Sequence, residues 1–199
     1  MQIQNPFVIE SDAPYSLNYL IYIENAYLNS KSVERMTPKF PYIDVSKWAI
    51  IEDELFLIRF NEIWEHVLHN IATNRHFDHN AVLTDNKALF RPLFQTNLNG
   101  EMGYSESIKS FSAWWNGLAG RIAVEHFLDN QILGIYQEMS QTIKEDKRLK
   151  ISLVYDKFPL GRLQILPWYA VLPIEDIFLY KKNKDIIPML LSCCNQELS

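Results

Sequence analysis

Residues 47–72 read KWAIIEDELFLIRFNEIWEHVLHNIA, and this stretch decides the fold class. Its apolar side chains recur every three or four positions, which places them on one broad face of a helix. Ser46 is suited to cap such a helix, and Glu52, Asp53 and Glu54 stand in its N-terminal half, where the helix dipole favours acidic groups. The pattern predicts a long helix over residues 47–72. The apolar positions are Phe56, Leu57, Phe60, Ile63, Trp64, Val67, Leu68 and Ile71.

A second helical region is predicted over residues 105–144, with Ser105 as its cap. Gly117 and Gly120 weaken its middle, because glycine inside a helix costs about 1 kcal/mol relative to alanine. Whether the region is one helix or two therefore stays open. Its apolar spacing of three and four is carried by Ile108, Phe111, Trp115, Leu118 and Ile122.

The final third of the chain changes to a β pattern. Residues 150–172 are rich in β-formers, and Pro167 and Pro173 restrict the strands to edges or ends. Residues 15–29 are either a short helix or an extended segment, since their apolar spacing does not decide, and residues 1–14 read as an irregular arm. Two long helical regions with a small C-terminal β element predict a mainly α or α+β fold, in a single domain over residues 1–199.

Composition narrows the class of protein. The chain has 199 residues, a net charge of −5 and no basic stripe, so nucleic-acid binding is not expected. The sequence shows neither a secretory signal nor an apolar run of about 18 residues, so no membrane segment is expected. Cys193 and Cys194 are adjacent and have no separate partner, which favours a reducing cytoplasm. The oligomeric state is left undetermined.

Histidines and acidic residues supply a candidate metal site. Glu62, Glu65, His66 and His69 recur along one stripe of the first predicted helix, and further histidines follow in the next loop. Imidazole and carboxylate ligands suit zinc or manganese. The competing interpretation is an exposed polar face, because the stripe lies opposite the apolar side of the helix. The second part of the candidate ligand set consists of His76, His79, Glu125, His126 and Asp129.

Two aromatic pairs supply a candidate binding surface. Trp114, Trp115, Trp168 and Tyr169 belong to the residue types enriched at interface hot spots, although the burial preference of aromatic residues favours core packing for them. No catalytic motif is found, so catalytic residues remain undetermined. We therefore expect a macromolecular binding protein without a cofactor, of the inhibitor, adaptor or immunity type, with a protein partner. The alternative is a metal-dependent hydrolase that uses the His/Glu/Asp residues.

Overall fold

The computed structural model describes residues 7–31, 39–126, 128–157 and 164–196, with the side chain of His126 excepted. The chain is organised in two compact units. One unit comprises residues 15–119 and is helical, and the other joins residues 1–14 to residues 120–199 around a small sheet. The predicted mixture of long helices with a small β element is confirmed. The single domain expected from chain length stays a prediction.

The helical unit is built from five helices and a 3₁₀ turn in its described residues. They are α1 (Tyr15–Lys31), α2 (Asp53–Thr73), α3 (Val82–Asp85), α4 (Lys87–Phe90), the 3₁₀ turn (Arg91–Leu93) and α5 (Leu98–Trp115). The long helix α1 contacts α2, α3 and α5. It is therefore the element around which this unit packs.

Helix α1 is buried on all sides. Every residue from 15 to 27 is buried, including Asn18, Glu24 and Asn25. A helix that is covered all round needs no polar face, so its sequence carries no amphipathic period. This is why the spacing of residues 15–29 did not distinguish a helix from an extended segment.

The N-terminus of α1 is capped by a side chain from a distant loop. The carboxylate of Asp78 accepts hydrogen bonds from the backbone N–H of Tyr15, at 2.6 Å, and of Ser16, at 2.9 Å, as well as from the Ser16 hydroxyl. The first N–H groups of a helix have no partner within the helix and are costly to bury unsatisfied. Asp78 thus ties the loop after α2 to the start of α1.

Helix α2 begins at Asp53, six residues later than the predicted start at residue 47. Glu52 occupies the N-cap position, so the predicted cap at Ser46 is wrong. The reason is tertiary, because Trp48 is buried and Ile50 forms a β-bridge with Phe94, so residues 46–50 form a turn and a bridge instead of a helix. The rest of the predicted apolar face is buried, but Leu57, which was predicted on that face, is exposed.

Helix α5 also begins elsewhere than predicted, at Leu98 rather than at Ser105. Asn97 caps it by accepting a hydrogen bond at 2.8 Å from the backbone N–H of Gly100. Gly103 allows the helix to approach the preceding backbone, since a Cβ at this position would lie 1.9 Å from the carbonyl oxygen of Trp48.

The region predicted over residues 105–144 is divided. After α5 the chain makes a π-helical turn at Leu118–Ile122, in which Gly120 has non-helical φ and ψ of −97° and −120°. Helices α6 (Ala123–His126) and α7 (Asp129–Thr142) follow. Leu118 and Ile122, predicted on a buried stripe, are 81% and 44% exposed, because the break rotates the helical register.

The second unit contains a four-stranded sheet in its described part. Its strands are β1 (Val8–Asp12), β2 (Arg148–Val154), β3 (Ile165–Leu166) and β4 (Tyr169–Pro173), in the order β1-β2-β4-β3. β1, β2 and β4 are parallel, and β3 pairs antiparallel with β4. The strands predicted within residues 150–172 are confirmed. Helices α8 (Ile174–Phe178) and α9 (Ile186–Cys194) complete the unit.

Strand β1 corrects the prediction of an irregular arm over residues 1–14. Residues 8–12 have the sequence VIESD, whose polar side chains are exposed and carry little strand signal of their own. Their pairing partner β2 lies about 140 residues later in the chain, with Glu10 opposite Lys150. Such a long-range pairing leaves no local pattern. Residues 1–6 lie outside the described part of the chain.

We expect the substitution Asp78→Ala to lower the free energy of unfolding by about 2 kcal/mol, because it leaves the buried N–H groups of Tyr15 and Ser16 without an acceptor. Urea denaturation followed by circular dichroism measures this change. Asp85→Ala is the matched control, since the Asp85 carboxylate is exposed, and it should cost less than about 0.5 kcal/mol. Equal effects of the two substitutions would contradict the capping role.

Candidate functional site

The helical unit has a groove between α2 and the corner formed by α4, the 3₁₀ turn and the start of α5. Its volume is about 720 Å³, within the range typical of ligand and peptide sites. Helix α2 presents Leu55, Arg59, Glu62 and His66 to it at intervals of three and four, along one stripe. The remaining lining residues are Ile51, Ile63, Ala88, Leu89, Arg91, Pro92, Phe94, Thr96 and Glu101.

Arg91 shapes the wall of the groove opposite α2. Its guanidinium donates hydrogen bonds to the carbonyl oxygens of Phe94, at 2.8 Å, and Gln95, at 2.6 Å. It also forms an ion pair at 2.8 Å with Glu101 on the first turn of α5. These contacts join the 3₁₀ turn to the start of α5, so this wall is held before any ligand arrives.

The charged groups within the groove are paired with one another. Arg59 Nη1 lies 2.8 Å from Glu62 Oε2, and Lys87 Nζ lies 2.6 Å from Glu101 Oε2. The Lys87 ammonium and the Arg91 guanidinium hold the pKa of Glu101 below its ordinary value. The groove thus combines apolar lining residues with a rim whose carboxylates are paired with cations of the same chain.

A second, acidic recess lies beside the groove at the start of α2. It has a volume of about 660 Å³ and shares Leu55 with the groove. Within it, Lys31 Nζ pairs with Asp53 at 2.9 Å, and the Tyr27 hydroxyl donates to the same carboxylate. The recess is lined by Lys31, Glu52, Asp53, Glu54, Leu55 and Ile58.

Two exposed aliphatic side chains mark this part of the surface. Leu55 is 47% exposed and Ile58 is 55% exposed. Both lie off the buried stripe of α2, between the groove and the recess. Neither residue was predicted from the sequence as a site residue. One feature of the sequence could have indicated that they are exposed: both residues are apolar, but they fall outside the spacing of the apolar face of α2.

The predicted metal ligands are dispersed over exposed surface. Of the set on α2, Glu62 and His66 line the groove, whereas Glu65 and His69 are exposed outside it. Within the described residues, no three His, Cys, Asp or Glu side chains come together in a way that could hold an ion. The α2 ligands do lie on the polar face, as the competing interpretation expected.

The other candidate ligands are also separated. His76 is exposed, and His79 Nε2 lies 3.7 Å from Asp85 in an exposed pair. Glu125 accepts a hydrogen bond at 2.8 Å from Arg121, and Asp129 is exposed at the start of α7. The side chain of His126 lies outside the described part of the chain. The metal-dependent hydrolase therefore gains no ligand cluster from the described residues and stays a prediction.

The four candidate aromatic anchors divide into two classes. Trp115 is fully buried and stacks on Phe111, and Tyr169 is buried in the sheet, so both are core residues here. Trp114 and Trp168 are partly exposed. Trp114 packs against Tyr22 and Phe40, while Trp168 lies beneath the Lys147 ammonium at 4.7 Å.

A polar chain crosses the sheet. Lys150 Nζ lies 3.0 Å from Asp12, whose carboxylate accepts a hydrogen bond at 2.9 Å from the Ser152 hydroxyl. The Tyr169 hydroxyl in turn donates to Ser152 Oγ at 3.0 Å. A serine beside a carboxylate and a lysine resembles a nucleophile in composition. Ser152 is fully buried, however, so a substrate has no access to it in this structure.

The two cysteines are buried thiols. Cys193 Sγ donates towards the carbonyl oxygens of Leu166, at 2.9 Å, and Tyr169, at 3.2 Å. Burial raises the pKa of Cys193 to about 11 and that of Cys194 to about 12. The thiolate, which is the reactive form, is therefore scarce at neutral pH.

Comparison with known proteins identified no relative of this chain. No family model, no curated protein and no solved structure was found to match it. Among the described residues, no helix has both the length and the apolarity needed to cross a membrane. The case for a function thus rests on the surface chemistry of the chain itself.

We expect Cys193 and Cys194 in the folded protein at pH 7.5 to react with a disulfide reagent at least about tenfold more slowly than in 6 M urea, because burial raises both thiol pKa values. Absorbance of the released thiol follows both reactions. The variant Cys193→Ser isolates Cys194 and should behave in the same way. Folded-state reaction at the urea rate would contradict the burial of these thiols.

Proposed function

We propose that this chain is a protein-binding protein, of the inhibitor, adaptor or immunity type, and that it binds its partner through the α2 surface. This surface comprises Leu55 and Ile58 with the groove and the acidic recess on either side of them. The single observation that carries the proposal is the exposure of these two aliphatic side chains between two concavities. Exposed apolar groups rimmed by polar ones are typical of interaction sites.

The composition of the α2 surface supports a protein partner. Interfaces between proteins combine an apolar centre with a polar, partly solvated rim. Here Leu55 and Ile58 supply the centre, and ion pairs such as Arg59–Glu62 supply the rim. The groove is also open, which suits an elongated segment of a partner better than an enclosed small molecule.

The proposal includes a reducing, cytoplasmic setting. Cys193 and Cys194 are free thiols buried in the core. Adjacent residues cannot join in an unstrained disulfide, so these thiols gain nothing from an oxidising compartment.

We expect a photo-crosslinking amino acid placed at position 55 or 58 to form a discrete adduct with a partner in cells of the source organism. Both positions are exposed, so the substitution should leave the free energy of unfolding within about 0.5 kcal/mol of the native value. Adduct formation is measured by gel shift and mass spectrometry. Adding Ile58→Asp to the position-55 protein should abolish the adduct, because it places a charge at the apolar centre.

The matched control is the same crosslinker at Leu133 on α7, a leucine of comparable exposure in the other unit. It should give no discrete adduct. Identical adducts at positions 55 and 133, or none at positions 55 and 58, would refute binding through the α2 surface.

A further inference from the structure

We propose that the partner segment bound at the α2 surface is basic and apolar, with a lysine or arginine placed over Glu52 and Glu54 beside its apolar anchors. This inference rests on the proposed function and names the chemistry of its partner. It follows from how charge is distributed on the two sides of Leu55.

The charges on the groove side are balanced within the chain. Glu62 is paired with Arg59, and Glu101 is paired with both Lys87 and Arg91. A partner that brought a cation here would have to displace a cation already in place. The groove side therefore favours the apolar part of a partner.

The charges on the recess side are not balanced. Among the described residues that line the recess, Lys31 is the single cation, and it pairs with Asp53 at 2.9 Å. That ion pair and the Tyr27 hydroxyl hold the pKa of Asp53 below its ordinary value. Glu52 and Glu54 form no ion pair within the described residues, and the partial positive charge at the N-terminus of α2 offsets only part of their charge, so this end of the surface stays net negative. Electrostatic complementarity favours a cationic group of the partner at this end.

The carboxylates of Glu52 and Glu54, which form no ion pair within the described residues, lie next to the apolar anchors. Glu54 and Ile58 are four residues apart on α2, which puts them side by side on the helix surface. Leu55 follows Glu54 directly and lines both concavities. A partner helix with leucines and lysines spaced three or four residues apart presents the matching arrangement, with its lysines towards the start of α2.

Apolar contact makes this charge pairing effective. An exposed ion pair contributes at most about 1 kcal/mol, and salt screens it. Covering Leu55 and Ile58 removes water from the flank of Glu54 and strengthens the interaction with a facing cation. Binding should therefore depend on both kinds of residue and should weaken as salt concentration rises.

The test uses two fluorescein-labelled helical peptides of equal length, with leucines along one face and either lysines or glutamates beside them. Fluorescence anisotropy with the full chain is measured at low and at physiological salt. We expect the lysine peptide to bind and the glutamate peptide not to bind. The double variant E52Q/E54Q should lower the affinity for the lysine peptide about tenfold. This is the loss expected when two partly screened ion pairs are removed.

The double variant E106Q/E138Q is the matched control, because both of its glutamates are exposed and neither lines the groove or the recess. It makes the same change in net charge and should leave the affinity unchanged. Leu55→Ser/Ile58→Ser should abolish binding of the lysine peptide.

The inference is overturned if the glutamate peptide binds as well as the lysine peptide, if neither peptide binds, or if the two glutamine double variants behave alike. The proposed function is judged separately, by crosslinking at positions 55 and 58. Discrete adducts there together with a failed peptide experiment would retain the α2 surface as a binding site and reject a basic partner.

Discussion

The burial of α1 is the constraint on which the helical unit depends. Its side chains from Tyr15 to Tyr27 are all buried, so each polar group on it must find a partner inside the protein. Three tyrosine hydroxyls do so on one neighbouring helix, since Tyr15, Tyr19 and Tyr22 bond to serines of α5. Their partners are Ser112, Ser107 and Ser110, in that order. Directional bonds at three points fix the position of α5 along α1 more tightly than apolar contact alone.

The same helix places the α2 surface. Tyr27, near the end of α1, stacks on Phe56 of α2 with ring centroids 3.9 Å apart, and its hydroxyl donates to Asp53. Lys31, one turn further along, pairs with that carboxylate. Burial and the hydrogen bond to Asp53 raise the pKa of Tyr27, so the hydroxyl stays a donor over the physiological range. The acidic recess is therefore built by the junction of two packed helices rather than by a loop.

The sequence was sufficient to predict two kinds of element. These are elements whose packing partners are near in sequence and helices with one buried and one exposed face. The exposed and buried faces of α2 gave a clear period, and the C-terminal strands were visible from their β-branched residues. Strand β1 and helix α1 could not be assigned, because the first takes its order from a distant strand and the second has no exposed face. The start of α2 was misplaced because the Ile50–Phe94 bridge outweighs helix propensity there. The candidate site was missed because the prediction relied on aromatic residues, which are good indicators of interfaces. In this protein Trp115 and Tyr169 belong to the core.

This use of aromatic residues has a consequence for binding strength. Many of the large aromatic rings pack in the core between α1 and α5, where they stabilise the fold. They include Tyr15, Tyr19, Tyr22, Phe111 and Trp115. The α2 surface is left with the aliphatic anchors Leu55 and Ile58, each of which is already half covered. Completing the burial of such a side chain contributes about 1 kcal/mol, less than the 2 kcal/mol or more typical of a hot-spot tryptophan. Two such anchors do not by themselves sustain tight association. Under the proposed function, affinity at this surface would therefore draw on the carboxylates of Glu52 and Glu54 and on the length of segment that the open groove accepts.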